Sequence, residues 1–577
     1  MCRKLISIFL IPGCILFSMA SCMMNKSETG QVKDAKNQEF IDAWENQKFS
    51  MFIHWGLYSI PAGMWNDQKI TGYSEQIKGH AEIPTEDYRK LASAFNPTKW
   101  NADSIALLAK GAGMKSIIMT AKHHDGFCMF ASEFTPFNVL DATPYKKDVL
   151  KDLAEACKRH DLKFGVYFSL IDWDYPDALP FTSVRNSDSI PPLHHEYNLS
   201  QIRELLTNYG EVSELWFDMG APTHEQSKEI ALLVKELQPN CLVSGRIWND
   251  QGDFMVMGDN YQPDFKMGVP WQSPASMFRE TWSYRSWQER PAVETKTNEK
   301  IHDLVKVVSS GGNYLLNIGP KADGSVVPFE KQVLEGMGEW LEKNGESIYG
   351  TKESFISIQE WGFTTSKPEK LYLHIASYPE DNKLTIQGLN IDITKVYPLS
   401  NPELSLKSKT SGKGCKIELS EKIVRDKYIT VIVLEYKGEL LYTPENSIEP
   451  NKKGEYILTP DNAETYHSYS GHDYYSSKPT VVKMKWYLLN SSEKPFEVKI
   501  ALPAYANTKG LKLSVNNEPY IIPAIGWGTN SSTRHQEQVI NGIKLVSERV
   551  NTIELAAENQ SNPHKGLEID SLRIILK

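Results

Sequence analysis

From about Glu39 to Gly350, short apolar runs alternate along the chain with longer stretches of helical period. The runs are 50–56 (SMFIHWG), 115–123 (KSIIMTAKH), 162–170 (LKFGVYFSL), 214–220 (ELWFDMG), 241–248 (CLVSGRIW) and 312–319 (GNYLLNIG). Between them, 101–112, 147–160, 195–209, 224–238 and 296–310 read as amphipathic helices. Asn101 and Asp103 stand where a helix start is expected, and Gly111 and Gly113 where it stops. Alternation of this kind implies parallel strands joined by crossover helices. The favoured closure over residues 37–352 is an α/β fold, a (β/α)8-like TIM barrel. An open doubly wound sheet is less favoured, because no GxGxxG follows the first strand. The strands after residue 250 are harder to read, so the barrel is expected to be irregular there.

After Gly350 the pattern changes to short strands separated by Pro, Gly and Asn: 369–377, 383–389, 415–419 and 427–435. They predict a small antiparallel β-sandwich over 353–445. A polar linker, 444–456, leads to further strands at 479–490, 496–502, 511–515 and 550–556. These predict a second β-sandwich over 446–577. The expected architecture is therefore a barrel followed by two antiparallel β-sandwich domains.

The N-terminus reads differently. Arg3 and Lys4 precede an apolar stretch, Leu5 to Phe17, that is too short to span a membrane, and Ala20 and Ser21 lead to Cys22. This layout resembles a bacterial lipoprotein signal over 1–22, with Cys22 as the lipidated residue and 23–36 as a polar tether. The expectation is an exported body in the periplasm or at the outer membrane, touching the membrane only through a lipid anchor.

Composition narrows the chemistry. Hydrophobic residues make up 41% and charged ones 23%, which excludes a fibrous or mainly disordered chain. The net charge of −9 argues against a nucleic-acid partner, and loss of Arg3 and Lys4 takes it to −11. Aromatics reach 11%, a lean shared by sugar-binding proteins and large β cores. Cys128, Cys157, Cys241 and Cys415 are widely spaced with no CxxC pair, so they match neither a zinc site nor a dense disulfide framework.

Barrel enzymes place their sites at the C-terminal ends of the strands. The first run closes with His54, the second with Lys122, His123, His124 and Asp125. The third carries Tyr167 and leads into Asp172, Trp173 and Asp174; the fourth closes with Asp218 and the fifth with Arg246. The histidines fit either a His/carboxylate metal set or neutral imidazoles bonding substrate hydroxyls. The second is favoured, because no HxH pair puts two ligands on one strand face and adjacent His123 and His124 should point to opposite faces. No metal or other cofactor is expected. Asp218, after Leu-Trp-Phe, suits a nucleophile, an ion-pair partner of Arg246 or a helix cap. Glycoside hydrolysis needs a second carboxyl, at a separation the sequence does not supply.

FIHWG (52–56), KHHDGF (122–127), GVYFSLIDW (165–173), LWFDMG (215–220), TWSYR (281–285) and GGNYLLNIGPKADG (311–324) together resemble the motif set of glycoside hydrolase family 29 α-L-fucosidases. LYLHIASYPEDNKLTIQGL (371–389) resembles the start of that family's C-terminal β domain. The closing GLEIDSLRIIL (566–576) resembles a carbohydrate-binding β-sandwich more weakly. The resemblance implies a retaining exo-hydrolase acting on terminal α-L-fucosyl residues of glycans, with Asp218 matching the nucleophile. It further implies that His54, His123 and His124 bind sugar hydroxyls, that Tyr167 lies near the nucleophile, and that Arg246 holds substrate or the nucleophile's charge. Glu75 stands where relatives have a Glu-Trp pair contacting fucose, here with Gln76 in place of Trp. Many relatives carry a Trp-Glu whose Glu is the proton donor, and here that pair is Trp271-Gln272. An amide cannot donate as a carboxylic acid does. Glu280, directly before Thr281-Trp282, is the nearest substitute and the candidate acid/base, with Trp282 a candidate for the pocket rim. Two alternatives stand beside this reading: an acid-deficient glycan-binding lipoprotein, and an α-L-galactosidase on the same barrel.

Overall fold

Eight mostly apolar strands make the first sheet: β1 (Phe49–Ile53), β2 (Ser116–Lys122), β3 (Lys163–Ser169), β4 (Glu214–Asp218), β5 (Leu242–Val243), β6 (Met255–Val256), β7 (Trp271–Ala275) and β8 (Asn313–Ile318). The computed structural model of the chain describes residues 38–182, 188–263, 265–411, 414–468, 480–490, 496–502, 511–520, 538–547, 549–557, 567 and 572–576. The expected signal over 1–22 with Cys22, the tether over 23–36 and most of 566–571 lie outside the described residues.

The strands are hydrogen-bonded in the order β5-β4-β3-β2-β1-β8-β7-β6, every pair parallel. A parallel bridge between Ser244 and Phe254, with Asp253 N–H donating to Val243 O at 2.8 Å, joins β5 to β6 and closes the ring. This is a TIM-like barrel. Its long strands are buried almost throughout, as parallel strands covered by helices must be. The covering helices are α1 (Ala102–Gly111), α2 (Val149–Arg159), α3 (Pro192–Asn208), α4 (His224–Leu237), α5 (Val293–Ser309) and α6 (Pro328–Asn344). Their starts are written in the sequence. Asn101 and Asp148 accept from the third backbone N–H of α1 and α2, and Thr223 with Gln226 forms a reciprocal capping box on α4. Neither the β5–β6 nor the β6–β7 connection carries a helix of this length, so the expected irregularity after residue 250 is real.

Beyond the barrel, β9 (Gly362–Lys367), β10 (Lys370–Ile375), β11 (Lys383–Gln387), β12 (Leu389–Pro398), β13 (Ser408–Ser411), β14 (Gly414–Glu418) and β15 (Thr430–Tyr442) form two antiparallel sheets, β9-β10-β15-β12 and β11-β14-β13. They enclose a core that includes Leu373, Ile386, Ile417 and Ile432. A third group follows: β16 (Glu455–Leu458), β17 (Glu464–Ser468), β18 (Thr480–Asn490), β19 (Phe496–Leu502), β20 (Leu511–Val515), β21 (Glu518–Tyr520), β22 (Gln538–Leu545), β23 (Arg549–Ala557) and β24 (Leu572–Leu576). Its sheets run β16-β24-β19-β22 and β21-β20-β23-β18-β17. The second sheet gains a sixth strand from the barrel: Lys266–Met267 pairs parallel with Tyr466 and His467 of β17. Lys266 also forms an ion pair with Glu464 at 2.6 Å.

Candidate active site

The aromatic layer at the top of the barrel comes from β1, β3 and β4. Phe52 of β1 lies 5.8 Å from Tyr167 of β3 and 5.0 Å from Trp216 of β4, and Tyr167 stacks on Trp216 at 5.5 Å. Above this floor opens a pocket of about 190 Å³. His54, Glu75, His123, His124, Asp218, Arg246 and Trp282 all line it, so most of the residues singled out in the sequence converge. Tyr167 is not in the lining but reaches it through Asp218.

Asp218 ends β4 and is held from two sides. Tyr167 Oη donates to its Oδ2 at 2.8 Å, and Arg246 Nη1 donates to its Oδ1 at 2.8 Å. His124 Nε2 stands 3.8 Å from Oδ2. Burial alone would raise this carboxyl, but Arg246, His124 and Tyr167 more than offset it, and the pKa falls below the ordinary aspartate value. The side chain is therefore ionised at neutral pH and locked in orientation. Of the roles left open in the sequence, the ion pair with Arg246 is observed directly.

The histidines are neutral for a different reason. Burial holds His54 and His124 down at about 4, and His123 well below its usual value. Their tautomers follow from second partners. Asn317 Nδ2 donates to Trp282 O at 2.6 Å, which leaves Asn317 Oδ1 to accept from His54 Nδ1 at 2.7 Å. Ser169 Oγ gives its proton to Ile171 O at 2.8 Å, so it accepts from His124 Nδ1, also at 2.8 Å. Both rings therefore keep Nε2 as a lone-pair acceptor, the form that receives a proton from a bound hydroxyl.

His123 and His124 share the pocket despite being neighbours, which corrects the expectation of opposite faces. The pairing of β2 with β3 slips between Thr120 and Lys122, and the strand ends at Lys122. The turn that follows needs Gly126 at φ +83°, since a Cβ there would meet Asp172 Oδ1. Asp125 is turned outward onto Tyr88, whose Oη donates at 2.7 Å, and is not part of the lining. Among the described residues, no group of three or more His, Cys, Asp or Glu is arranged to hold a metal ion.

Glu280 is not brought into the pocket. Phe278 and Thr281 pair across a tight turn, so Arg279 and Glu280 occupy its tip with exposed side chains. The Glu280 carboxylate accepts from Gln288 at 3.4 Å, and its carbonyl is held by Arg285. The adjacent segment turns the other way, onto Glu75. That carboxylate accepts from Thr281 Oγ1 at 3.2 Å, from Trp282 N–H at 3.2 Å and from Ser283 N–H at 3.0 Å. Glu75 thus faces the pocket and also fixes Trp282, whose ring lies 5.1 Å from His54. Burial raises the Glu75 pKa against those bonds. Gln272 lies inside the barrel below the lining, accepting from Trp216 Nε1 at 2.9 Å. Tyr284 and Trp287 stand outside the lining; Trp287 Nε1 donates to Gly63 O.

Two residues were not anticipated. Asp259 lines the pocket and accepts from Arg246 Nη2 at 2.5 Å, so one guanidinium bridges two carboxylates. Asn317 sets the His54 tautomer; it lies within the NYLLNIG run, and its polar side chain among apolar neighbours was the available signal.

The pocket thus sets an ionised aspartate at a strand end of a parallel barrel among neutral imidazoles whose Nε2 atoms are acceptors. The sequence profile of the alpha-L-fucosidase family matches residues 16–346. The chain belongs to that family. It is 30% identical over 370 residues to human plasma alpha-L-fucosidase, an alignment covering 60% of this chain and 78% of the relative. Among solved structures, alpha-L-fucosidase isoenzyme 1 from Paenibacillus thiaminolyticus superposes with a TM-score of 0.63 at 31% identity, covering 70% of this chain and all of that one. The alpha-L-fucosidase from Vibrio sp. strain EJY3 covers 93% of this chain and 98% of its own, with a TM-score of 0.66 and 27% identity. A Bacteroides thetaiotaomicron family 29 enzyme, 27% identical with a TM-score of 0.62 over 69% of this chain and 96% of its own, was trapped as a covalent intermediate with a fluorinated fucosyl fluoride.

Proposed function

We propose that the protein is a retaining exo-glycosidase releasing terminal α-L-fucosyl residues from fucosylated oligosaccharides or glycoconjugates, with Asp218 as nucleophile. The observation that carries the reading is the Asp218 carboxylate, ionised and fixed between Tyr167 and Arg246 at the pocket wall. In the first step Asp218 forms a bond to the anomeric carbon as the glycosidic C–O bond breaks; in the second, water takes the place of Asp218. His54 and His124 accept protons from two ring hydroxyls through Nε2, and Trp282 closes the side of the ring. The trapped covalent intermediate of the Bacteroides relative supports the same two-step chemistry.

A second carboxyl must protonate the leaving oxygen. Besides Asp218, Glu75 and Asp259 line the pocket, and Asp259 is spent on Arg246. Burial keeps Glu75 protonated to a higher pH than an exposed glutamate, which suits a donor. Glu280 takes that part only if the 278–281 turn opens. The test is aryl α-L-fucoside hydrolysis: Asp218→Ala should abolish turnover of a folded protein, and unchanged turnover ends the proposal. Azide rescue of Glu75→Gln, and not of Glu280→Gln, would assign the acid.

The donors bound to Glu75 favour a second reading, a glycan-binding protein that cleaves only activated fucosides. It wins if the wild type retains fucosylated glycans intact while hydrolysing aryl fucosides. Export and anchoring through Cys22 rest on the sequence of 1–22 alone; fatty-acid labelling lost in Cys22→Ala checks them.

A further inference from the structure

A polar hollow larger than the pocket described above lies where the second and third domains meet. It has a volume of about 590 Å³, some three times that of the catalytic pocket, which suits several sugar rings and not one. Its walls come from the β9–β10 turn and β15 on one side and from β18, β23 and the β20–β21 hairpin on the other. We propose that this cleft is a binding subsite for an anionic oligosaccharide, a chain of sugars carrying carboxylate or sulfate groups.

Charge is the first observation. Lys352, Lys367 and Lys485 line the cleft, and no Asp or Glu does, on a chain whose net charge is −9. Lys485 is neutralised by Glu554 at 2.7 Å. Lys352 and Lys367 have no carboxylate within ion-pair distance among the described residues. Glu346, the carboxylate that acts on Lys367 through space, is already bonded to Lys370 at 2.8 Å and Tyr372 at 2.7 Å. Two ammonium groups, one exposed and one half-buried, are thus left to the cleft, where they set a positive potential towards an anion.

The walls supply the rest of a sugar site. Tyr442 is half-buried and braced edge-on by Phe355 at 5.7 Å, which gives a fixed aromatic surface for the apolar face of a ring. Asn516 and Asn517, at φ +51° and +69°, form the tight turn of the β20–β21 hairpin. Asn516 is bonded to Asn551 and to Thr552 N–H, and Asn517 and Asn390 bring amides that suit sugar hydroxyls. Trp486 is core, its Nε1 bonded to Thr459 O. Its neighbour Tyr487 faces the cleft but is bonded to Glu464 at 2.7 Å.

Calorimetry on the full chain tests the proposal without involving Asp218. The probes are hexagalacturonate as the carboxylated chain, a heparin-derived hexasaccharide as the sulfated one, and maltohexaose as the neutral one. At least one acidic hexamer should bind, about ten-fold more weakly in Lys352→Gln/Lys367→Gln and in Tyr442→Ala, and more weakly again in high salt. Lys352→Arg/Lys367→Arg should keep the affinity, and all variants should hydrolyse aryl fucoside at the wild-type rate. Absence of binding by both acidic hexamers, equal binding of maltohexaose, or full affinity in the glutamine pair would overturn it. A fucosidase that fails this test remains a fucosidase, so the two readings fall separately.

Discussion

The two halves of the barrel hold their site residues by different means. In the half built from β1 to β4, strands of five or seven residues are locked in register by their neighbours. His54, His124 and Asp218 stand at or just beyond those strand ends, so the backbone ladder sets their positions. In the other half, β5 and β6 have two residues each and β7 contains Pro274, which cannot donate to a ladder. Arg246 sits in a short helical turn, Asp259 in a loop and Trp282 after a turn. Their positions depend on side-chain bonds that reach outside their own segments: Arg246 to Asp218, Trp282 to Asn317 and Glu75. The long strands provide a frame, and polar bonds tie the irregular half to it.

That contrast is open to attack from its strongest point downward. Asp218→Asn should cut aryl fucoside turnover on the order of 10⁴-fold with little change in thermal midpoint, because the frame stays intact. Arg246→Met should cost about 3–5 kcal/mol in denaturant unfolding, since it leaves two carboxylates unpaired on the irregular side. The pH dependence should then reverse. With Arg246 present, Asp218 has a depressed pKa, so its contribution is present at neutral pH and lost only as pH falls through that value. Without it, burial is opposed only by His124 and Tyr167, so the carboxyl rises and the variant's deficit should grow as pH rises through its raised pKa.

The neutral histidines give the next largest effect. Their pKa values fall from 6.5 to about 4 on folding, so the unfolded chain binds more protons below pH 6.5. Stability should be complete above pH 6.5 and decline towards pH 4, by up to about 3 kcal/mol for each of His54 and His124. Replacing either with Phe should flatten that part of the profile. Asn317→Leu should raise KM more than it lowers kcat, by about 10-fold, through the released His54 tautomer. Glu280→Gln should change turnover less than about 2-fold. A large loss there would show that the 278–281 turn opens in solution.

Legibility in the sequence follows the same division. Continuous apolar runs mark β1 to β4 and β8, and His54, His123, His124 and Asp218 at the ends of β1, β2 and β4 reach the site because a long strand has one end and one direction. Two-residue strands leave no periodic trace, so β6 goes unseen in the sequence, and Asp259 with it. Glu280 fails for a related reason: nearness along the chain to Trp282 says nothing about which side of a tight turn each side chain takes. The helix Pro328–Asn344 is not among the helices expected from the sequence, although it was legible: Val333, Leu334, Met337, Trp340 and Leu341 repeat with helical spacing. In the β domains, alternation along 480–490 and 549–557 was enough to find β18 and β23. The Lys266–Met267 strand was not foreseeable, since its partner lies some two hundred residues away.

That small strand bears on how the chain can be cut. A sheet edge is a template for pairing with any other chain, and here the outer edge of β17 is covered by a piece of the barrel. A truncation ending near residue 445 would strip Lys266–Met267 of its partner and leave Lys266 without Glu464, while residues 446–577 made alone would present a bare β17. Both fragments are poor candidates for soluble expression, and a last domain carrying a charged or Pro-bearing β17 would be the better starting point.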